Sequence, residues 1–572
     1  MILVIAEKPS VAKAIGRALR RHGVEAEVIG LRGHLTDLDL PDEFGWRLVD
    51  PSEIFSIKKF KTVVKDEKIY ERLLKVLERD LIDEIVIATD NDSEGELIGF
   101  EVLKLLKKIL RNDFKISRMR FNSVDEGELW KAWNEREPTL NQRWVEKAEF
   151  RRSFDLVTGA AFTRLLTLSA RKHGFRGLIS WGSCQTPTLN YLVRREEQII
   201  GFKPKIYWRI KATLSNKDGE RLKASSKRFE DGEKARKIFE SIKSLGKAYV
   251  MSYEESEKMV QRPKPLRTDE MLQELNRITG RSASMILRVA EELYSEGFIS
   301  YPRTETNKWP KNFDHEIPTK ALIRAGLLDE ERVKEPKPLQ GRLDDRAHPP
   351  IYPIKAPRRD GSLRWRVWEY IARRYAANVY YRDSFMIRQK AWIRLGELTL
   401  SSEGLRIIDE GFYEIFRYFR PKEDPMPVLK KGKELLVLGV ELAEERSKPP
   451  PRLSESTLLK LMERDRIGTD ATRADYPRIL LDRGYAIKMG KVLKPTKLGL
   501  DLIKGLRAVD DRLVSPKTRR MIEEYMERIA EGRISREKAL EEALNSYSEL
   551  FEKLRERISD ISLILAGSSG AR

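Results

Sequence analysis

Residues 85–101 read IVIATDNDSEGELIGFE, and this stretch admits two readings. Asp90, Asp92, Glu94, Gly95 and Glu101 fall at the first, third, fifth, sixth and twelfth positions of a calcium-binding EF-hand loop, with only the Glu at the fifth off pattern. An EF-hand needs a helix running into its loop. Here the loop follows EIVIAT, a short β-branched apolar run that reads as a buried strand, and the helical pattern IYERLLKVLERDL ends before it. The order is helix, strand, acidic turn, helix, with Glu101 already inside the last helix, GELIGFEVLKLLKKIL. Carboxylates at the carboxyl end of a strand in an α/β sheet sit at the edge where such folds bind ligands. Read as an extended segment, Asp90, Asp92 and Glu94 alternate onto one face and could hold a hard divalent ion through oxygen. A catalytic Mg²⁺ site is therefore preferred over an EF-hand or a solvated acidic turn.

The fold expected around this turn is a multidomain mixture of α/β, α and β modules. The 572 residues exceed one ordinary core and suggest three or four domains. Residues 1–140 alternate strand and helix patterns, beginning with MILVIAEKPSVAKAIGRAL. EFRRSFDLVTGAAFTRLLTLSARKHG is helical throughout. Two β-like stretches, from YWRIKATLS and from DSFMIRQKAWIRLGELTLSSEGLRII, flank helices around MLQELNRITGRSASMILRVAEELYSEG. A Pro-rich segment, RSKPPPRLSES, reads as a linker, and helices are expected from there almost to the end. A β module split by helices implies discontinuous domains.

Lys and Arg number 110 against 90 Asp and Glu, a net charge of +20, with a pI near 9.6. A polyanionic partner is the natural inference, with the positive charge gathered into a groove. Cys184 is the single cysteine, which excludes an internal disulfide and a Cys-based zinc finger within this chain. No apolar run is long enough to span a bilayer and MILVIAEKPS lacks a basic leader, so a soluble, cytoplasmic, nucleoid-associated protein with no membrane partner is expected. The excess of Glu, Lys and Arg over Gln and Cys is a thermophile pattern.

Several short segments carry chemistry. AEKPS places Glu7 and Lys8 after the first strand, at the same sheet edge as the acidic turn, where a carboxyl and an ammonium suit proton donation and phosphate binding. In EGFISYPRTET, Tyr301 is followed by Arg303, a cation that could stabilise a phenolate and a pentavalent phosphate. DDRAHPPIYP supplies His348, able to donate to a phosphate. In RRSFDLVTGAAFTR, Arg151 and Asp155 are one helical turn apart, which fits a surface ion pair or an Arg held for a ligand. SWGSCQTPTL and IGTDATRADYP are hydroxyl-rich turns before helices, a common setting for phosphate oxygens. No G-x-x-x-x-G-K-[ST] phosphate loop occurs, so no ATP is expected.

Taken together, AEKPS, DNDSEGE, SWGSCQTPTL, SYPRTET, AHPPIYP and GTDATRADYPRILLDRGY resemble the type IA DNA topoisomerases, and most of all the topoisomerase III branch, in one order from residue 1 to about 550. The resemblance implies a Toprim domain over 1–140, helical DNA-binding pieces over 141–202 and 441–560, β hinge pieces over 203–258 and 378–440, a helical domain over 259–377 carrying the nucleophile, and a tail over 561–572, the whole forming a torus. It implies that Tyr301 attacks single-stranded DNA to give a 5′-phosphotyrosyl link, with Glu7, Lys8 and Arg303 also catalytic. Asp90, Asp92, Glu94 and Glu7 would hold Mg²⁺, and Arg151, Asp155, Arg164, Ser180, Gln185, Thr186, His348 and Thr472 would contact DNA. Negatively supercoiled or linked DNA, locally melted, is the implied substrate, without ATP or zinc. Where the family usually carries Arg in GRVQTPTL, this chain has Ser183 and Cys184, so that contact is missing or supplied from elsewhere. A helicase and a single-strand-binding protein are candidate partners on which the sequence is silent. Two rival classes remain at this stage: another Toprim enzyme, a nuclease or primase that leaves Tyr301 idle, and a non-catalytic single-strand-binding protein.

Overall fold

The computed structural model describes the chain except Asp80, 110–113, Lys334, Ala471 and 569–572. The N-terminal unit is built on a four-stranded parallel sheet in the order Glu27–Gly30, Ile2–Ala6, Glu84–Ala88, Lys115–Arg118. Its central strands are apolar on both faces because helices cover both. Val4, Ala6, Val86 and Ala88 join the core shared with the helical domains, while Leu3, Ile5, Ile85 and Ile87 face a second core under the helices Glu67–Arg79 and Ser93–Ile109. The strand at 84–88 and the helix after the acidic turn confirm the α/β reading over the EF-hand; Leu110, at the end of the expected helix, and Asp80 lie outside the described residues.

The two β stretches close on each other as a six-stranded barrel, with its own core of residues such as Ile210, Leu214, Val250, Ala391 and Leu400. Strands from either side of the helical insertion pair directly: Ser384–Leu395 runs antiparallel to Lys247–Val260, and Glu434–Arg446 to Ile206–Ser215. These strands run past the expected module ends at 258 and 440, because barrel closure extends pairing to Val260 and Arg446. A helix, Gly232–Ile242, capped by Asp231, interrupts the first β stretch.

Helix Gln142–Lys172 is the spine of the helical region, packing against Ser93–Ile109 from the N-terminal unit and against Pro516–Ala530, Arg536–Glu556 and Ile558–Ala566 from the C-terminal part. One expectation for that part is corrected. Residues 486–495 form a β-hairpin, Ala486–Met489 with Val492–Pro495, rather than continuing the helices. The last described helix, Ile558–Ala566, enters the tail, with Ile561 and Leu565 buried. Among the described residues, no helix is long and apolar enough to cross a membrane.

Candidate active site

The parallel register sets Ala6 beside Ala88, so the residues after each strand emerge side by side at the carboxyl edge of the sheet. Lys8 Nζ lies 2.9 Å from Asp90 Oδ2, and the Asp90 backbone N–H donates to Glu7 Oε2 at 3.1 Å. The turn between strand and helix is tight: a Cβ on Gly95 would lie 2.0 Å from the Asp90 carbonyl oxygen, so only glycine fits there. Arg118, fully buried, clamps the turn from beneath. Its guanidinium donates to the carbonyls of Thr89 (2.9 Å) and Asp90 (2.8 Å) and to Glu96 Oε1 (2.6 Å), and Glu96 also accepts from Arg120 at 2.8 Å.

The segment bearing Tyr301 is laid against this turn. The Tyr301 backbone N–H donates to Asn122 O (2.8 Å), Thr268 Oγ1 donates to Pro302 O (2.8 Å), and Asn91 Nδ2 reaches Ala347 O (3.1 Å) from the acidic turn. The Tyr301 hydroxyl donates to Asp92 Oδ2 at 2.6 Å, and its ring meets Tyr294 edge-on at 5.1 Å between centroids. Tyr294 in turn donates to Asp90 Oδ1 at 3.2 Å. Tyr301 is only 3% exposed, so a phosphate reaches its hydroxyl only when this segment and the acidic turn part. Arg303 is held by Glu291, with Nε to Oε1 at 2.8 Å. His348 stacks obliquely at 5.0 Å from the Tyr301 ring, with Nδ1 3.3 Å from Asp345 Oδ2 and a buried Nε2 that has no hydrogen-bond partner among the described residues.

Burial governs the electrostatics. It pushes Glu7 up to about 8, and the neighbouring charge of Asp90 adds to the rise, so Glu7 is a neutral acid at pH 7. Burial and the charge of Asp92 hold the Tyr301 phenol far above its ordinary value, so in this closed arrangement it is protonated. His348 is raised, since the hydrogen bond and charge of Asp345 outweigh its burial, which favours the imidazolium with its free Nε2–H. Asp92 is held low despite burial by the Tyr301 hydroxyl, the Gly95 N–H and Arg303.

The helix starts at Ser93, so Glu94 does not continue the alternation of Asp90 and Asp92; it lies on the first helical turn, with its carboxylate 3.4 Å from His34 Nε2 and 3.9 Å from Arg151. Among the described residues no three carboxylate or imidazole groups converge as a metal cage. The hard oxygen donors of Asp90, Asp92, Glu94 and Glu7 suit Mg²⁺ in kind, and the charges of Asp90 and Asp92 add to the rise that burial gives Glu7.

The expected DNA-contacting residues divide. Arg151 lies 3.7 Å from Asp155 and next to Glu94, and His348 joins Tyr301. Thr472 accepts from Thr469 N (3.1 Å) within its turn, and the adjacent Arg473 lies 3.9 Å from Glu305 of the Tyr301 segment. Ser180, Gln185 and Thr186 are buried and bonded within their own turn: Gln185 Nε2 donates to Ser180 O at 3.0 Å, and Gly182 N donates to Thr186 Oγ1 at 3.3 Å. Arg164 stands apart, about 20 Å along the helix from Arg151, donating to Phe44 and Gly45 carbonyls. At the Ser183 departure, the fully buried guanidinium of Arg519 donates to Ser183 Oγ (2.8 Å) and Asp155 Oδ1 (3.1 Å), so a cation from a distant helix occupies that place. Sequence reasoning missed Tyr294, Glu291, Arg118, Asp345 and Arg519. Tyr294, Arg118 and Arg519 act across long sequence separations, and a buried-helix Arg such as Arg519 left no local signal; Asp345 stands three residues before His348 in DDRAHPPIYP, a spacing that could have found it.

A tyrosine packed on the acidic turn of a four-stranded parallel sheet, beside a split barrel and a helical region, defines a class: a Toprim catalytic domain joined to a tyrosine-bearing strand-cleavage core. The Toprim domain profile matches residues 2–124 and the DNA topoisomerase profile residues 139–541. The chain belongs to the type IA DNA topoisomerase family. It is 32% identical over 550 residues to DNA topoisomerase 1 of Thermoplasma acidophilum, covering 95% of this chain and 70% of that protein. It is 30% identical over 616 residues to mouse DNA topoisomerase 3-beta-1, covering 99% and 70%, so the topoisomerase III branch fits. Among solved structures it resembles full-length topoisomerase I of Thermotoga maritima in fold, with a TM-score of 0.76 at 24% identity over 96% of this chain and 90% of that one.

Proposed function

We propose that the protein changes DNA topology by cutting one strand through Tyr301, passing a strand and resealing the break, without ATP. The observation that carries this reading is the 2.6 Å hydrogen bond from the Tyr301 hydroxyl to Asp92, with the neutral acid Glu7 on the same turn. The tyrosyl oxygen attacks phosphorus, the bond to the 3′-oxygen breaks, and a 5′-phosphotyrosyl link forms; one phosphodiester replaces another, so resealing runs the same step backwards. Asp92 already accepts from the phenol, which places a carboxylate where its deprotonation needs one. Glu7 gives its proton to the leaving 3′-oxygen. Lys8, Arg303 and the imidazolium of His348 stabilise charge on the phosphoryl oxygens. Asp90, Asp92, Glu94 and Glu7 are the donors that would hold Mg²⁺, which when bound supplies positive charge that orders the cut ends for resealing. Arg151 and the turns around Gln185 and Thr472 guide the strand to the site.

Because the nucleophile addresses a single strand, duplex DNA must open first. Unpairing costs stacking of about 1.4 kcal/mol per step; underwinding lowers that cost and overwinding raises it. Negatively supercoiled plasmid is therefore relaxed in Mg²⁺ without ATP, and positively supercoiled plasmid at matched superhelical density is left largely untouched unless it carries a single-stranded bulge. Equal rates on both bulge-free plasmids would refute strand opening as the gate. Decatenation is read from linked circles with single-stranded gaps in the same assay.

A further inference from the structure

The hairpin that interrupts the C-terminal helices has no part in the chemistry above, yet it is unusual in its charge. From Arg483 to Lys497 the sequence RGYAIKMGKVLKPTK contains no acidic residue. The cations at its borders are neutralised: Arg478 pairs with Asp475 and with Asp482 at 2.8 Å, and Lys497 with Asp501 at 2.7 Å. Between them, Arg483, Lys488, Lys491 and Lys494 have no ion-pair partner among the described residues, although ion pairs are abundant elsewhere in the molecule. Lys488 and Lys491 are exposed, and so are two apolar side chains of the same hairpin, Ile487 (49%) and Met489 (46%). The two-residue turn is built by Gly490, at φ 59°, which suits a tight hairpin projecting from the body.

The base of the hairpin is fixed where its tip is free. Tyr485, buried, donates its hydroxyl to Ser180 O at 2.8 Å, and so ties the hairpin to the turn that holds Gln185. Leu493 N donates to Leu453 O at 2.9 Å, adding a backbone anchor. The helix before the hairpin, Tyr476–Asp482, starts directly after the Thr472 turn. A rigid, unpaired basic projection thus borders both turns assigned to the single strand. The register pairs Ile487 with Lys494 and Lys488 with Leu493, so Lys494 shares a face with Ile487 and Met489, Lys488 stands on the other face and Lys491 at the tip. A projecting two-stranded ribbon with lysines on both faces and at its tip fits a groove of the double helix between its two phosphate rows, and exposed Ile and Met side chains are the kind that pack against a base-pair step.

We propose that this hairpin grips the duplex DNA that flanks the melted segment, holding the junction beside the single-strand groove. The proposal rests on the strand-cleavage reading given above. It places the duplex arm on Lys488, Lys491 and Lys494, with Ile487 and Met489 against the end of the paired region, and it leaves strand cleavage itself to the Tyr301 site.

The test uses the full chain with Lys488→Ala, Lys491→Ala and Lys494→Ala combined, surface changes away from every catalytic group. Binding is measured over a salt series to a single-stranded oligonucleotide and to the same oligonucleotide carrying a duplex arm. Covalent adduct on the single-stranded probe is measured in parallel. The parent protein binds the armed probe more tightly; in the variant that advantage disappears, the salt slope on the armed probe falls by about 3, and binding and adduct formation on the single strand are unchanged. An undiminished arm advantage, or equal weakening on both probes, overturns the proposal. Absence of adduct with the parent protein would instead strike the cleavage reading, and the arm comparison is read independently of it.

Discussion

Replacing Glu7 by Gln keeps the side chain's size and removes its transferable proton. With Glu7 held at about 8 by burial and Asp90, roughly nine in ten molecules carry the proton at pH 7 and roughly one in ten at pH 9. A raised carboxyl is active as an acid below its folded-state value, so cleavage by the parent protein should hold steady up to about pH 8 and then fall, approaching tenfold per further pH unit. Removing a positioned general acid costs about 10²- to 10⁴-fold, so Glu7→Gln should cut single-turnover cleavage by that factor and abolish the decline. The assay is denaturant-trapped cleavage of a labelled single-stranded oligonucleotide in EDTA, so that only the protein's own groups titrate. A second substrate carries sulfur in place of the bridging 3′-oxygen; a thiol ionises near pH 8.5 and leaves without a proton. On it, Glu7→Gln should react within a few-fold of the parent. Equal loss on oxygen and sulfur, or an unchanged decline in the Gln variant, would refute proton donation by Glu7.

Arg118→Met should destabilise the N-terminal unit by about 3 kcal/mol, the low end for breaking a buried pair, because Glu96 keeps Arg120 and the Asn141 N–H, each at 2.8 Å. Chemical denaturation followed by fluorescence reads the loss, and a change under about 1 kcal/mol would show that the clamp on the acidic turn is weak. Asp90→Ala should harm relaxation in Mg²⁺ more than single-strand cleavage, since the ion orders cut ends while Asp92 still accepts from the Tyr301 hydroxyl; a variant that cleaves and reseals normally in Mg²⁺ would place the metal elsewhere.

The strand at 84–88 was legible because a parallel strand buried on both faces leaves a short continuous apolar run; the tightness of the turn after it was not, since the closeness of Gly95 to the Asp90 carbonyl appears only in three dimensions. Tyr301, Arg303, Glu7 and Lys8 were legible as motifs, and the structure brings Tyr301, Glu7 and Lys8 together around Asp90 and Asp92. Glu94 was misread because its alternation with Asp92 holds only for extended backbone, and the helix begins one residue earlier, at Ser93. The hairpin at 486–495 was hidden because its exposed Lys and Met residues break the strict alternation that marks half-buried strands. Partners such as Glu291 for Arg303 and Arg519 for Asp155 could not be read at all, since nothing in a helical pattern says which distant side chain its buried face will meet.

The central claim is that Tyr301 is the nucleophile. Tyr301→Phe deletes the oxygen that donates to Asp92 and leaves the ring against Tyr294. Single-stranded oligonucleotide labelled at its 3′ end is incubated with parent and variant, quenched in denaturant, and resolved for protein-linked DNA. The parent should carry label through a 5′-phosphotyrosyl bond that maps to the peptide containing Tyr301, and the variant should bind the oligonucleotide nearly as tightly yet carry none. Adduct in the Phe variant, or label mapped to another residue in the parent, would contradict the account.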